Sequence, residues 1–117
     1  LKDVGIYDDC AIFVMSDHGD FVGDYGMAEK AQSSFEDCLT KVPFLVKPPK
    51  NIPVDAGVSD SMVELVDFYA TVMDFAEVVP SHEHFGRSLR GAVIDRSKQV
   101  REFSCCEGGR RQGEFAV

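Results

Sequence analysis

Neither a basic patch nor a long apolar run occurs in the 117 residues. Twelve Lys and Arg stand against 20 Asp and Glu, a formal net charge of −8, so the electrostatic footprint of a nucleic-acid binder is missing. No apolar run approaches the roughly 20 residues that a membrane-spanning helix needs. The expectation is therefore no nucleic-acid partner and no membrane span. Cys10, Cys38, Cys105 and Cys106 have no metal-ligand spacing, and neighbours such as Cys105 and Cys106 rarely pair; free thiols are expected, with no oxidising compartment implied. Gly108-Gly109-Arg110-Arg111 reads as a loop and lacks the Lys-Ser/Thr of a phosphate-cradling signature. There is no internal repeat or low-complexity segment. A hydrophobic content of 44% with mixed charges remains, which suits one globular domain with a modest core.

The informative stretch is Ala11 to Ala31. Ala11-Ile12-Phe13-Val14-Met15 is apolar without alternation and predicts a strand buried on both faces of a parallel sheet. It stops at Ser16-Asp17-His18-Gly19, and in such sheets the working groups sit just beyond the carboxyl ends of strands. A capping Asp beside an ordinary loop His is the commoner meaning of the dipeptide. A carboxylate next to an imidazole at a rigid strand end is also a start on a metal site. Gly19, Gly23 and Gly26 then let the backbone turn tightly before Lys30.

Elsewhere the pattern speaks of architecture. Leu1 to Gly5 reads as the tail of a helix already under way, with Gly5 as its C′ residue. With no initiator Met, the expectation is an excised piece of a longer protein. No signal peptide is visible, and cytoplasm and periplasm both stay open. Residues 42–46 predict a second buried strand, 61–76 the main helix with a capping box of Ser61 and Glu64, and 100–105 a third strand. Asp67 could cap a second helix within that stretch. His82-Glu83-His84 is read as a solvated loop, since adjacent positions on a loop rarely close a metal site. A short helix over 89–94 follows Gly86-Arg87-Ser88-Leu89.

Ser16-Asp17-His18-Gly19-Asp20, Gly23-Asp24-Tyr25-Gly26, Lys30, Phe35-Glu36 and Lys41-Val42-Pro43 together resemble the C-terminal part of the sulfatase catalytic domain, in the alkaline-phosphatase-like superfamily. Val58-Ser59-Asp60, Leu65-Val66-Asp67, Asp74-Phe75-Ala76 and Gly86-Arg87-Ser88-Leu89 extend the likeness in order over nearly the whole chain. The resemblance implies an α/β fold, a fragment of a mixed or parallel sheet flanked by helices, with residues 1–117 as one partial sulfatase-like domain. It implies that Asp17 and His18 are metal ligands and that Lys30, thirteen residues after Asp17, touches the sulfuryl and leaving oxygens as both catalytic and substrate-binding group. The implied cofactor is a divalent metal, Ca2+ by family habit with Mg2+ or Mn2+ as alternatives, and the implied partner is a small sulfate ester.

An acidic chain suits an anionic substrate poorly, so local cations such as Lys30 must attract it. Tyr25 stands where many relatives have His, and Ala31 where many have Gly, which bears on substrate choice. In the family a formylglycine made within Cys/Ser-x-Pro-x-Arg is the nucleophile, and an Asp-Asp pair gives the first two ligands. No Cys or Ser here precedes Pro by two residues with Arg two further on, and Asp8-Asp9 precedes the same strand as Asp17, a poor position for that pair. The fragment alone is therefore expected to be inactive and to bind metal weakly. A phosphonate or phosphate ester hydrolase of the same superfamily and a non-catalytic sulfatase-like domain stay open as alternatives. Raw sheet edges would also favour a homo-oligomer.

Overall fold

The computed structural model describes residues 1–31, 34–107 and 115–116. Its elements in order are β1 (Ile12–Met15), a 3-10 turn (Asp24–Gly26), α1 (Asp37–Thr40), β2 (Phe44–Lys47), α2 (Asp67–Phe75), α3 (Arg90–Ile94), β3 (Cys106–Glu107) and β4 (Phe115–Ala116). β1 and β2 form one two-stranded sheet, and β3 and β4 another. The second sheet is antiparallel, with Cys106 opposite Ala116 and Glu107 opposite Phe115. This is a small mixed α/β chain, as the sequence implies. The Gly-Gly-Arg-Arg loop at 108–111 lies outside the described residues.

Two compact units divide the chain: Leu1–Phe13 with Val46–Ser104, and Val14–Leu45 with the described residues from Cys105 on. In the first unit the leading segment closes as a helix end should. Gly5 takes φ +71°, its N–H donates to the Lys2 carbonyl, and the Ile6 N–H donates to Leu1. That pair of bonds is a Schellman closure with glycine at C′. The segment is then tied to β2 by Lys47, whose ammonium donates to the Tyr7 carbonyl at 2.5 Å and the Cys10 carbonyl at 2.9 Å and lies 4.5 Å from the Tyr7 ring centre.

α2 has two working faces. Phe68 meets the Phe13 ring edge-on at 5.1 Å, and Phe75, two turns along, meets it at 6.0 Å. Asp67, Thr71 and Asp74, also at i, i+4 and i+7, receive the segment 86–90. Arg87 N–H donates to Asp67 Oδ1 at 2.7 Å, Leu89 N–H to Thr71 Oγ1 at 3.0 Å, and the Ser88 hydroxyl to Asp74. The Arg90 guanidinium adds a 3.1 Å pair to Asp74. Gly86 makes the contact feasible: a Cβ there would stand 2.2 Å from the Val66 carbonyl oxygen. The architectural reading of Gly86 to Leu89 thus has a physical basis.

Three expectations shift. The main helix begins at Asp67, six residues after Ser61, because Ser61 and Glu64 are engaged elsewhere. The Ser61 hydroxyl accepts the Val100 N–H at 2.8 Å, and the Glu64 carboxylate pairs with Arg101 at 2.6 Å. Asp67 does not cap the helix: Val66 is the N-cap, without a side-chain capping bond, and Asp67 Oδ2 accepts the N–H of Glu64, ahead of the helix, at 2.9 Å. The third strand is Cys106–Glu107, since Val100 and Arg101 are drawn out of strand pairing by those same side-chain contacts. Finally, β1 is not buried on both faces. Val14 is 57% exposed, so the apolar run has a covered residue in Phe13 and an open one beside it.

Candidate functional site

The polar segment after β1 is shaped by its own backbone contacts, all within the second unit. Gly19 N–H donates to the Leu39 carbonyl at 2.8 Å, and a Cβ on Gly19 would fall 1.8 Å from the Cys38 carbonyl oxygen. Glycine is thus required where the loop lies against α1. Phe21 is the buried anchor, 1% exposed, with Tyr25 edge-on to it at 5.9 Å. Val22 and Tyr25 sit at φ +49° and +54°, a conformation that costs bulky residues energy and is held here by the surrounding loop contacts. The Tyr25 phenol donates to the Glu36 carboxylate, and this bond to a negative neighbour pushes the phenol above its ordinary range.

Asp17, His18 and Lys30 come together in this loop. His18 Nε2 lies 3.8 Å from Asp17 Oδ1, and Lys30 Nζ lies 2.7 Å from the same nitrogen. His18 Nδ1 is 2.7 Å from the Gly19 carbonyl oxygen. A carbonyl can only accept, so Nδ1 carries the proton and Nε2 presents a lone pair. The Asp17 carboxylate is 89% exposed and the His18 ring 43%, so both are reachable from solvent. Ser16 closes the turn by donating its hydroxyl to the His18 carbonyl at 2.6 Å.

The pair is compatible with a shared cation. Ligands held at about 2.1–2.4 Å from one ion, at angles near 110°, are themselves about 3.5–4 Å apart, and the observed 3.8 Å falls in that span. Two donors do not close a site, and among the described residues no group of three or more His, Cys, Asp or Glu could hold a metal. Nor does a thiol offer an activated nucleophile in this loop. Partial burial, followed by the nearby Asp24 carboxylate, pushes the Cys38 thiol up and keeps it protonated. His82, Glu83, His84 and Phe85 line a shallow hollow in the first unit, where Tyr69 lies 5.2 Å from each imidazole; these histidines pack on an aromatic ring.

Sequence reasoning missed the Arg101 cluster. Arg101 is 9% exposed and pairs with Glu64 and with Asp67, which has no exposed side-chain surface. No local pattern announces it, because 34 residues separate Arg101 from Asp67.

An exposed acid–imidazole–ammonium cluster thus follows β1 in a chain of mixed α/β elements. Comparison with known proteins makes this specific. The sulfatase family model matches residues 1–78. The chain is 32% identical to an N-acetylglucosamine-6-O-sulfatase of Bacteroides thetaiotaomicron over 99 residues, covering 84% of this chain and 17% of that protein. It is 32% identical over 103 residues to an extracellular sulfatase SULF-1 homolog of Drosophila melanogaster, covering 87% and 9%. An arylsulfatase of Clostridium perfringens is 29% identical over 105 residues, covering 88% and 21%. The chain belongs to the sulfatase family, and it spans about a fifth or less of the length of these relatives. Among the described residues no helix is long and apolar enough to cross a membrane.

Proposed function

We propose that residues 1–117 are a partial sulfatase-like domain contributing half of the active site of a metal-dependent sulfuric ester hydrolase. The observation that carries the reading is the convergence of Asp17, His18 and Lys30 around one nitrogen, at 3.8 and 2.7 Å. Asp17 and His18 would hold a divalent cation, Ca2+ by family habit with Mg2+ or Mn2+ as alternatives, which when bound supplies Lewis-acid stabilisation of the transferring group. The Gly19 carbonyl, accepting from Nδ1, fixes the imidazole tautomer whose Nε2 carries the lone pair, as carbonyls behind ligating histidines do in metal sites. Lys30, a compact point charge, binds the sulfate oxygens and steadies the negative charge that builds on the leaving oxygen. It also offsets the repulsion that a chain of net charge −8 exerts on an anion.

The named relatives are all sulfatases, which favours a sulfate ester over a phosphonate or phosphate ester. Sugar and aryl sulfatases both occur among them, so the reading stops at the ester class. No Cys/Ser-x-Pro-x-Arg occurs in the sequence, so the isolated 117 residues lack the family nucleophile. They bind metal weakly and do not turn over. Open apolar residues such as Val14 and Leu45, each 57% exposed, support self-association of the isolated chain.

The test is a Ca2+ and Mn2+ titration of the chain alongside Asp17→Ala and His18→Ala, with p-nitrophenyl sulfate turnover measured in parallel. Weak binding lost in both variants, with no turnover, is the expected result. Binding indifferent to both substitutions would remove the ligand assignment, and turnover by the isolated chain would show that it carries its own nucleophile.

A further inference from the structure

The hydrogen bonds around His18 leave one electron pair with two claimants. Nδ1 donates to the Gly19 carbonyl, so the lone pair of the neutral ring is on Nε2, and the Lys30 ammonium, which can only donate, takes it at 2.7 Å. A lone pair serves one strong partner at a time. We propose that Lys30 is a placeholder cation: it and a divalent metal ion compete for His18 Nε2, and loading the metal expels the ammonium from the imidazole. This inference rests on the reading of Asp17 and His18 as ligands.

Two consequences follow from the geometry. Before loading, the ammonium holds the ring with Nε2 facing outward and supplies positive charge beside the Asp17 carboxylate, which lies 3.8 Å from the same nitrogen. On loading, Lys30 loses its acceptor and is repelled by the incoming ion, so its three N–H donors become free for an anion. Metal and anion binding are thereby ordered: the cation releases the group that then receives the oxygens. Lys30 lies in the exposed loop, so replacing it leaves the buried anchor Phe21 in place.

The measurement is Mn2+ binding to the full chain at pH 7.5, read by electron paramagnetic resonance of the free ion, for the wild type, Lys30→Met and His18→Ala. Removing a like charge and freeing the lone pair is expected to tighten binding by Lys30→Met on the order of tenfold, with His18→Ala losing it. Binding by Lys30→Met that equals or falls below the wild type, while His18→Ala abolishes it, would overturn the competition and leave the ligand assignment standing. Unchanged binding in His18→Ala would remove both. A second readout needs no metal. The 15N resonance of His18 Nε2 should move toward the free lone-pair position in Lys30→Met, and an unmoved resonance would show that Lys30 never held it.

Discussion

Asp67 has no exposed side-chain surface, whereas the Asp17 carboxylate is 89% exposed. Each has a cationic side chain in its cluster, and the clusters differ in what is left over. Around Asp67 both carboxylate oxygens are committed: to the Glu64 and Arg87 N–H groups at 2.9 and 2.7 Å and to the Arg101 guanidinium. Around Asp17, among the described residues, the charged neighbour is the His18 imidazole at 3.8 Å. A buried carboxylate with both oxygens engaged is a joint. An exposed one beside an outward-facing imidazole is available to a ligand. Position in a network, more than residue type, separates the committed acid from the open one here.

Breaking the buried joint gives the largest expected effect. Asp67→Ala leaves the largely buried Arg101 guanidinium with Glu64 alone and strands two backbone donors, and should cost about 3 kcal/mol, read as a fall in urea midpoint. Asp17→Ala should change the midpoint by less than about 0.5 kcal/mol while abolishing metal binding. Equal destabilisation by the two would erase the contrast.

The glycine supports come next. Gly86→Ala drives a Cβ to 2.2 Å from the Val66 carbonyl oxygen, and Gly19→Ala drives one to 1.8 Å from that of Cys38. Each should cost about 1–3 kcal/mol. Gly19→Ala should also displace the His18 ring, seen as a changed imidazole 15N spectrum that Gly86→Ala does not reproduce.

A smaller gain is expected at Glu77. This residue occupies C′ of α2 at φ +55°, with Val78 N–H donating to the Met73 carbonyl at 2.9 Å. Glu77→Gly should stabilise by about 0.5–1 kcal/mol, raising the thermal midpoint and leaving metal binding alone.

The smallest effect is in alkali. The bond to Glu36 raises the Tyr25 phenol, so its contribution to stability is complete below the unfolded value near 10 and is lost as pH climbs through the higher folded value. In Glu36→Gln the ultraviolet titration of that tyrosine should move down toward the ordinary midpoint. An unshifted curve would mean that the phenol is not held.

Local chemistry determined much of this protein without help from distance. The apolar run of β1, the glycine at C′ of the leading segment, and the order of Asp17, His18 and Lys30 are properties of neighbouring residues, and each is legible in the string. The family resemblance rests on that order, because Lys30 stands thirteen positions after Asp17, a local spacing. Tertiary structure alone decided where α2 begins, why the expected strand at 100–105 gives way to one at Cys106, and which acid is buried. Those outcomes turn on Ser61 meeting Val100 and Asp67 meeting Arg101 across 39 and 34 residues. Such contacts leave no periodicity in sequence, since the free energy of a buried ion pair depends on which groups share its cavity and not on which residues flank it.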